Sequence, residues 1–222
     1  MQGGRFFENS FFSHFRILNQ RLPPGFLIDE EVLRFLEHAK ENRYYIAYLL
    51  AITCEMRKGE ITGLQWKDID FERRTLSVNR SLSHITKGFH ELKTSSGKRL
   101  LIFPDITLIV LNDHLQKISD EKERYDESYN DYDWVCRFRS LTQLWKKLIK
   151  KSEVPDIRFH DLRHTRVTIM LKQSIYPKIV SERLGHKRVS ITLKTYSHVV
   201  PGLQETAVDQ FANELFGKKN FC

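Results

Sequence analysis

The chain has 222 residues, of which 41% are hydrophobic and 12% aromatic, so its composition excludes a disordered chain and allows one large domain. A formal net charge of +8 favours a polyanionic partner, of which nucleic acid is the commonest, although many basic proteins bind none. No apolar run approaches the roughly 20 residues that a membrane helix needs, and the basic N-terminus lacks the apolar region of a signal peptide.

The cysteines indicate a reducing compartment. Cys54, Cys136 and Cys222 are scattered, odd in number and without the spacing of metal ligands. Cys54 lies in an apolar run and is interpreted as a small core residue. We therefore expect a protein that acts inside the cell.

Helices are predicted in the first part of the chain. Residues 1–25 have no periodic pattern and are interpreted as a vector-derived remnant or an interdomain linker. Asp29 is the expected N-cap of a first helix. Its core face is predicted to consist of Val32, Phe35, Leu36 and Ala39. Residues 44–56 then predict a buried helix, and residues 57–64 the start of another.

A change of period follows and predicts a small antiparallel sheet. Leu76 and Val78 alternate with polar residues, as in a half-buried strand. Ser95, Ser96 and Gly97 form a turn signal between residues 91–93 and the apolar run 100–103.

The rest of the chain is predicted to be helical. One helix starts at Asp105 and continues to about Ser119, and the acidic stretch 120–133 is interpreted as a solvated connection that avoids nucleic acid. Basic residues outnumber acidic ones in residues 156–200. A C-terminal amphipathic helix is predicted from the apolar stripe of Val208, Phe211, Ala212 and Leu215, with Gly217 as its C-cap.

Several isolated signals could carry chemistry, and each alone is weak. His160 and Arg163 share one helix face and could present a proton-transfer group beside a phosphate clamp, but an exposed polar face is the commoner explanation. His160 and His164 have the spacing of a helical zinc site, without an evident third ligand. Arg57 and Glu60 could be an ordinary ion pair within a helix.

The order of these signals is far more specific than any one of them. Arg57 and Glu60 precede a hairpin lysine, Lys93; a His-x-x-Arg pair, a Leu-Gly-His sequence and a tyrosine then follow. This constellation resembles the tyrosine recombinase, or phage integrase, family over about residues 28–216. The matching residues include 56–64, Trp66, 68–70, 92–94, Arg99, 159–165, 184–186 and 195–198.

The resemblance implies an α+β, mainly α fold, in which a helical catalytic domain carries a small antiparallel β-sheet: the fold of the DNA breaking-rejoining enzymes. The expected domains are the catalytic domain, residues 26–200, and the C-terminal tail helix, residues 201–222. Most family members carry a helical core-binding domain before the catalytic one. Residues 1–25 are too short for it, so we expect a fragment.

The resemblance also implies a metal-independent, site-specific recombinase that integrates a mobile element through a 3′-phosphotyrosine. Tyr196 would attack phosphorus while Arg57 and Arg163 hold its oxygens. Lys93 would protonate the leaving oxygen. The other expected catalytic residues are Glu60 as an organiser of Arg57 or His160, His160 in proton transfer, and His186 on the phosphate. Candidate contacts to the DNA backbone are Arg99, Lys187 and Arg188.

No cofactor is implied. The expected partners are double-stranded DNA attachment sites and further copies of the chain, docked through the tail helix, in the cytoplasm of a bacterial host. The tail could instead close its own core. Three alternatives remain open at this point: a type IB topoisomerase with the same chemistry, a non-enzymatic DNA-binding relative, and a metal hydrolase built on His160 and His164.

One position departs from the family pattern. A glycine often lies two residues before the first catalytic arginine, and here that position is Glu55. A carboxylate close to a phosphate clamp would be unfavourable, so we expect the Glu55 side chain to face away from it.

Overall fold

The computed structural model describes residues 25–82, 89–91, 97–125, 133–136 and 141–196, together with residues 208, 211, 212 and 215. The helices are α1 Asp29–Ala39, α2 Tyr45–Thr53, α3 Lys58–Thr62, α4 Asp105–Tyr125, α5 Leu141–Lys151, α6 Asp161–Lys172, α7 Pro177–Leu184 and α8 Val189–Tyr196. The strands are β1 Ile69–Asp70, β2 Thr75–Val78, β3 Arg80–Leu82, β4 Phe89–Glu91 and β5 Arg99–Ile102. The predicted class, mainly α with a small antiparallel sheet, is confirmed. In the described part of the chain, no helix is both long and apolar enough to cross a bilayer.

The helices α1 and α2 begin the core. Val32, Phe35 and Ala39 are the buried face of α1, as their spacing predicts. The helix begins at Asp29 itself, so the N-cap is Ile28, one residue earlier than expected, and the Glu31 carboxylate accepts its backbone N–H at 2.9 Å. α2 is apolar all round and almost wholly buried, which makes it the central helix.

The strands pair differently from the predicted hairpin. β2 lies between β1 and β5, antiparallel to both, with Leu76 opposite Leu101. β3 and β4 form a separate antiparallel ribbon in which Arg80 faces Glu91. The two strands that flank the predicted turn therefore belong to different sheets, because each finds its partner in the preceding 75–82 segment.

Helix α4 is longer than predicted and takes up the start of the acidic stretch. It runs to Tyr125, and Glu121 in its last turns forms a two-pronged ion pair with Arg43, with N–O distances of 2.9 and 2.6 Å. Part of the predicted solvated connection is therefore an ordered helix that is tied to the core. Residues 126–132 lie outside the described residues.

Buried apolar residues form two clusters. The larger includes an aromatic group of Phe35, Tyr48, Trp145 and Phe159 whose ring centroids are 5.1–6.1 Å apart. The smaller consists of Val167, Met170, Leu171, Val180, Leu184 and Tyr196. Leu162 on α6 belongs to the first cluster and Val167 to the second, so α6 joins them.

Candidate functional site

Arg163 lies in the first turn of α6 and is held by two backbone carbonyls. Its side chain donates to the carbonyl oxygens of Glu55 and Leu184, the latter at 2.7 Å, and the residue is only 3% exposed. Burial, and then the charge of Arg57, lower the pKa of Arg163 to about 9. The guanidinium therefore remains a cation at neutral pH, fixed in orientation and close enough to Arg57 for the two charges to interact.

The end of α7 explains why a carbonyl is available there. The last carbonyls of a helix have no partner within it, and α7 ends at Gly185, which adopts the left-handed conformation (φ 67°). The carbonyl of Leu184 accepts a hydrogen bond from Arg163, and the carbonyl of Arg183 accepts one from the Nε of Arg99 at 2.7 Å. One helix terminus thus orients two arginine side chains.

Arg57 is connected to Arg99 through a buried carboxylate. Glu60 accepts a hydrogen bond from the Arg57 side chain at 2.8 Å and from the Arg57 backbone N–H at 2.8 Å. Both terminal nitrogens of Arg99 also donate to Glu60, at 3.1 and 2.9 Å. Despite its burial, hydrogen bonding from Arg99 and the charges of Arg99 and Arg57 lower the pKa of Glu60 to about 2.

The predicted role of Arg99 in contacting the DNA backbone does not fit this location. Its side chain is 7% exposed and is occupied by Glu60 and by the carbonyl of Arg183. A phosphate contact needs guanidinium donors that are not already engaged, and all three nitrogens of Arg99 donate to protein acceptors. The position of Arg99 instead indicates that it orients Glu60, and through Glu60 the side chain of Arg57.

Glu55 is fully buried, and the expectation that its side chain faces away from the phosphate clamp fits its contacts, which are with Arg183 and Arg166. Its Oε2 accepts a hydrogen bond from the Nε of Arg183 at 2.7 Å, and its Oε1 lies 3.6 Å from the Nε of Arg166. Burial raises the pKa of Glu55, and the charges of Arg183 and Arg166 oppose that rise. The carboxylate therefore has two cations of its own behind Arg163. Glu55 also adopts a left-handed backbone (φ 49°), which costs a non-glycine residue about 1 kcal/mol and explains why glycine suits this position.

Tyr196 ends α8 with its hydroxyl against His164. The Nδ1 of His164 lies 2.5 Å from the phenol oxygen, and Tyr196 is 2% exposed. Burial raises the pKa of Tyr196 to about 12, although the charges of Arg163 and Arg57 act in the opposite direction. Burial also lowers the pKa of His164, so the imidazole is neutral at neutral pH and able to accept the phenol proton.

Two further histidines adjoin this group. The ring of His160, just before α6, lies 4.7 Å from that of His164, edge to face. The Nδ1 of His186 is 2.9 Å from the hydroxyl of the buried residue Thr192. The pKa of His160 and that of His186 are each lowered to about 4, by partial burial first and also by the charges of Arg163 and Arg57.

The remaining predicted residues lie at the edge of the site or beyond the description. Lys187 and Arg188 are exposed in the turn between α7 and α8, next to His186, and their contact with DNA stays a prediction. Lys93 lies outside the described residues; the ribbon strand β4 ends two residues before it, at Glu91.

Five of the seven predicted catalytic residues are therefore linked by charge interactions or direct contacts: Arg57, Glu60, His160, Arg163 and His186. Tyr196 joins them through the charges of Arg57 and Arg163. Sequence reasoning missed Glu55 and Arg183 as site residues, and it considered His164 only as a metal ligand. Among the described residues, no group of three or more His, Cys, Asp or Glu side chains could hold a metal ion.

Comparison with known proteins gives a consistent set of similarities. The model of the phage integrase family matches residues 26–201. A XerC-like tyrosine recombinase of Caldanaerobacter subterraneus subsp. tengcongensis is 32% identical over 210 residues, which cover 85% of this chain and 54% of the relative. The ICEBs1 integrase of Bacillus subtilis is 28% identical over 182 residues, covering 75% of this chain and 47% of the relative.

A solved structure shares the fold. The Tn1549 transposon integrase, in complex with a circular intermediate DNA, superposes with a TM-score of 0.66 at 19% identity, over 87% of this chain and 67% of that one. This chain spans about half the length of the two curated relatives.

Proposed function

Because this chain belongs to the phage integrase family, we propose that it is the catalytic part of a site-specific DNA recombinase that integrates a mobile element. The reaction proceeds through a 3′-phosphotyrosine at Tyr196. The observation that carries this proposal is that Tyr196, whose hydroxyl lies 2.5 Å from His164, shares an apolar cluster with Leu184, whose carbonyl accepts a hydrogen bond from Arg163. The names of the relatives, a tyrosine recombinase and the integrase of a mobile element, support the substrate class.

The two arginines bind the scissile phosphate. A DNA phosphodiester is anionic, and its charge grows in the transition state, so preorganised cations lower the barrier. Arg163 has a fixed orientation because Glu55 and Leu184 hold it, while Arg57 is 41% exposed on its side chain and faces the incoming DNA. His186 adds a hydrogen bond to the same phosphate through Nε2, since its Nδ1 is bonded to Thr192.

Tyr196 supplies the nucleophile, and His164 takes its proton. A phenol with a pKa of about 12 is protonated at neutral pH and needs a base to attack efficiently. The Nδ1 of His164, 2.5 Å away, accepts the proton as the bond between the tyrosine oxygen and phosphorus forms. His160 faces His164 and assists the proton's onward transfer.

The bond from phosphorus to the 5′-oxygen breaks in the same step, and that oxygen takes a proton from Lys93. The product is a 3′-phosphotyrosine and a free 5′-hydroxyl. Because the phosphotyrosine keeps the energy of the diester, attack by a 5′-hydroxyl reverses the step and joins the strands without nucleotide hydrolysis.

Trapping the covalent adduct tests this proposal. Duplexes that bind the chain are selected from a random-sequence library, nicked next to each candidate position and incubated with the protein. We expect an adduct that survives denaturant and maps to Tyr196 by mass spectrometry, and none with Tyr196→Phe. Equal trapping by both proteins would refute the assignment. Relaxation of supercoiled plasmid without site preference would instead indicate a topoisomerase.

Self-association on DNA is the second part of the proposal. Val208, Phe211 and Leu215 in the tail are helical and 60–63% exposed. An amphipathic helix with an exposed apolar face suits docking on a neighbouring protomer. Phe211→Asp is expected to abolish higher-order complexes on paired sites in sedimentation experiments while leaving the binding of one protomer intact. Unchanged assembly would show that the tail serves its own core.

A further inference from the structure

Arg163, Glu55 and the end of α7 form a closed loop of contacts. The side chain of Arg163 donates to the backbone carbonyl of Glu55, and the carboxylate of Glu55 accepts from Arg183 at 2.7 Å. The next residue after Arg183 is Leu184, whose carbonyl accepts the second hydrogen bond of Arg163 at 2.7 Å. The ion pair between Glu55 and Arg183 therefore connects the two backbone segments that hold the Arg163 guanidinium.

Two further hydrogen bonds to backbone carbonyls fix the side chain of Arg183 beside Glu55. Its NH2 donates to the carbonyl of Thr53 at 2.9 Å, and its NH1 donates to the carbonyl of Ile102 at 3.3 Å. The pair thus ties the last turn of α7 to the segment after α2. Loss of this ion pair would leave the carbonyls of Glu55 and Leu184, which hold the Arg163 guanidinium, less firmly fixed relative to each other.

This loop of contacts depends on Glu55, a residue that is unfavourable for folding at this position. Glu55 is a buried carboxylate on a left-handed backbone, two features that each oppose folding. Its charge lies behind Arg163 and is not used in the chemical step described above. A residue that carries both penalties calls for a benefit, and its contacts connect it to the arginine proposed to bind the phosphate.

We propose that Glu55 is a positioning residue, which through its ion pair with Arg183 fixes the guanidinium of Arg163 against the scissile phosphate. This inference rests on the proposed function, since it concerns the geometry of that same site. It predicts that loss of the Glu55 carboxylate slows phosphoryl transfer and leaves DNA affinity nearly unchanged, because Arg163 contributes most when charge develops on the phosphate.

Two substitutions separate this role from a general effect on stability. Glu55→Gly removes the carboxylate and also relieves the left-handed backbone, while Glu55→Gln keeps the side-chain size and removes only the charge. Glu121→Gln is the matched control, because Glu121 is a partly buried carboxylate on α4 that pairs with Arg43 at 2.6 Å outside the catalytic group. Each variant is compared with wild type in DNA affinity and in the single-turnover rate of adduct formation at saturating DNA.

The decisive measurement repeats these rates on DNA with a neutral methylphosphonate at the scissile position. With the ordinary diester, we expect both Glu55 variants to be slower by about tenfold or more, with affinity within about threefold of wild type. With the methylphosphonate, the loss should shrink to about threefold or less, because the transition state then carries less charge for Arg163 to stabilise. Glu121→Gln should keep the wild-type rate on both.

A loss of the same size on both DNAs, or a wild-type rate for Glu55→Gly on the diester, would overturn the inference. Absence of any adduct with the wild-type protein on either DNA would instead refute the proposed function, and this inference with it. A third arm adds Arg183→Gln: the double variant with Glu55→Gln should be no slower than the slower single one, whereas multiplied losses would contradict a shared role.

Discussion

The hydrogen bond between His164 and Tyr196 joins a buried phenol to an imidazole whose pKa is held below its usual value. Only the neutral imidazole can accept the phenol proton. The rate of adduct formation should therefore rise with pH through an apparent pKa below 6.5, the usual histidine value, and then level off.

His164→Gln tests this role, because glutamine can hydrogen bond to the phenol but cannot take its proton at neutral pH. We expect a loss of about a hundredfold in the single-turnover rate, with loss of the acid limb that His164 contributes. His38→Gln is the control, since His38 is exposed on α1 and its ring bonds to the backbone carbonyl of Arg34. A wild-type rate and pH profile for His164→Gln would exclude the imidazole as base.

Glu60 makes an acid-sensitive contribution to stability. Its pKa is lowered in the folded state to about 2, from a reference of 4.5, by Arg99 and Arg57. A depressed carboxylate pKa stabilises the fold above the unfolded-state value, and this stability is lost as pH falls toward the folded-state value. The shift corresponds to a contribution of about 3 kcal/mol at neutral pH.

Glu60→Gln should therefore unfold more easily than wild type at neutral pH, as measured by urea denaturation. The difference between the two proteins in free energy of unfolding should shrink as pH falls from about 5 toward 2. Asp113→Asn, at an exposed position on α4, should show no such pH-dependent difference. A constant gap for Glu60→Gln across this range would contradict the ionised, arginine-bound carboxylate.

At the scale of the elements, Gly59 sets the distance between α3 and the β3–β4 ribbon. A Cβ atom there would lie 2.4 Å from the hydroxyl oxygen of Ser81 and 2.8 Å from the backbone oxygen of Leu82. The same ribbon leads to Lys93. Any displacement of β3 thus moves the segment that carries the expected general acid.

Gly59→Ala should lower the free energy of unfolding by about 1–3 kcal/mol, because backbone on β3 has to shift. It should also slow adduct formation. Gly63→Ala, whose nearest contacts would be 3.1–3.3 Å, is expected to have a smaller effect on both. Thermal denaturation and the adduct assay measure the two quantities, and equal effects at the two glycines would argue against a close approach at Gly59.

The helices could be predicted well because their apolar periodicity is local. The faces of α1 and α2 follow directly from their sequence patterns, and the strand at Leu76 and Val78 does too. Strand pairing could not be predicted in the same way. It depends on which distant segment is nearest in the folded chain, and β5 pairs with β2 rather than across the turn that precedes it.

The same contrast between local patterns and long-range contacts applies to the site. The ordered motifs predict Arg57, Arg163 and Tyr196 as site residues, since those side chains have a chemical signature that can be recognised without a structure. Glu55 and Arg183 carry no such signature, because their importance lies in contacts 128 residues apart in the sequence. Glu55 did stand out from the sequence as a departure from the glycine common in the family. Its two buried partners, Arg183 and Arg166, could not be predicted from the sequence.

At the scale of the whole molecule, the net charge of +8 favours DNA, and Lys187 and Arg188 are exposed beside His186. If both contact phosphates, each neutralised lysine or arginine should reduce the slope of log affinity against log salt by about 1. Lys187→Gln and Arg188→Gln should weaken binding to all DNA sequences alike.

Fluorescence anisotropy over a range of salt concentrations measures these slopes. The control is Lys146→Gln, which removes the same charge from an exposed position on α5, the helix that packs against α1. Slopes for Lys187→Gln and Arg188→Gln that equal the control's would mean that neither side chain contacts the backbone of DNA.

The smaller apolar cluster has a consequence for the timing of the reaction. Tyr196 fills it together with Val180 and Leu184, so the proposed nucleophile is also part of the packing of α7 and α8. Any outward swing of the phenol empties that space and loosens the helix end whose carbonyls orient Arg163 and Arg99. If Tyr196 is the nucleophile, a phenol that leaves this cluster to reach a distant strand also disturbs the arginines proposed to bind the phosphate. We therefore expect cleavage to be confined to DNA that is already bound at the site.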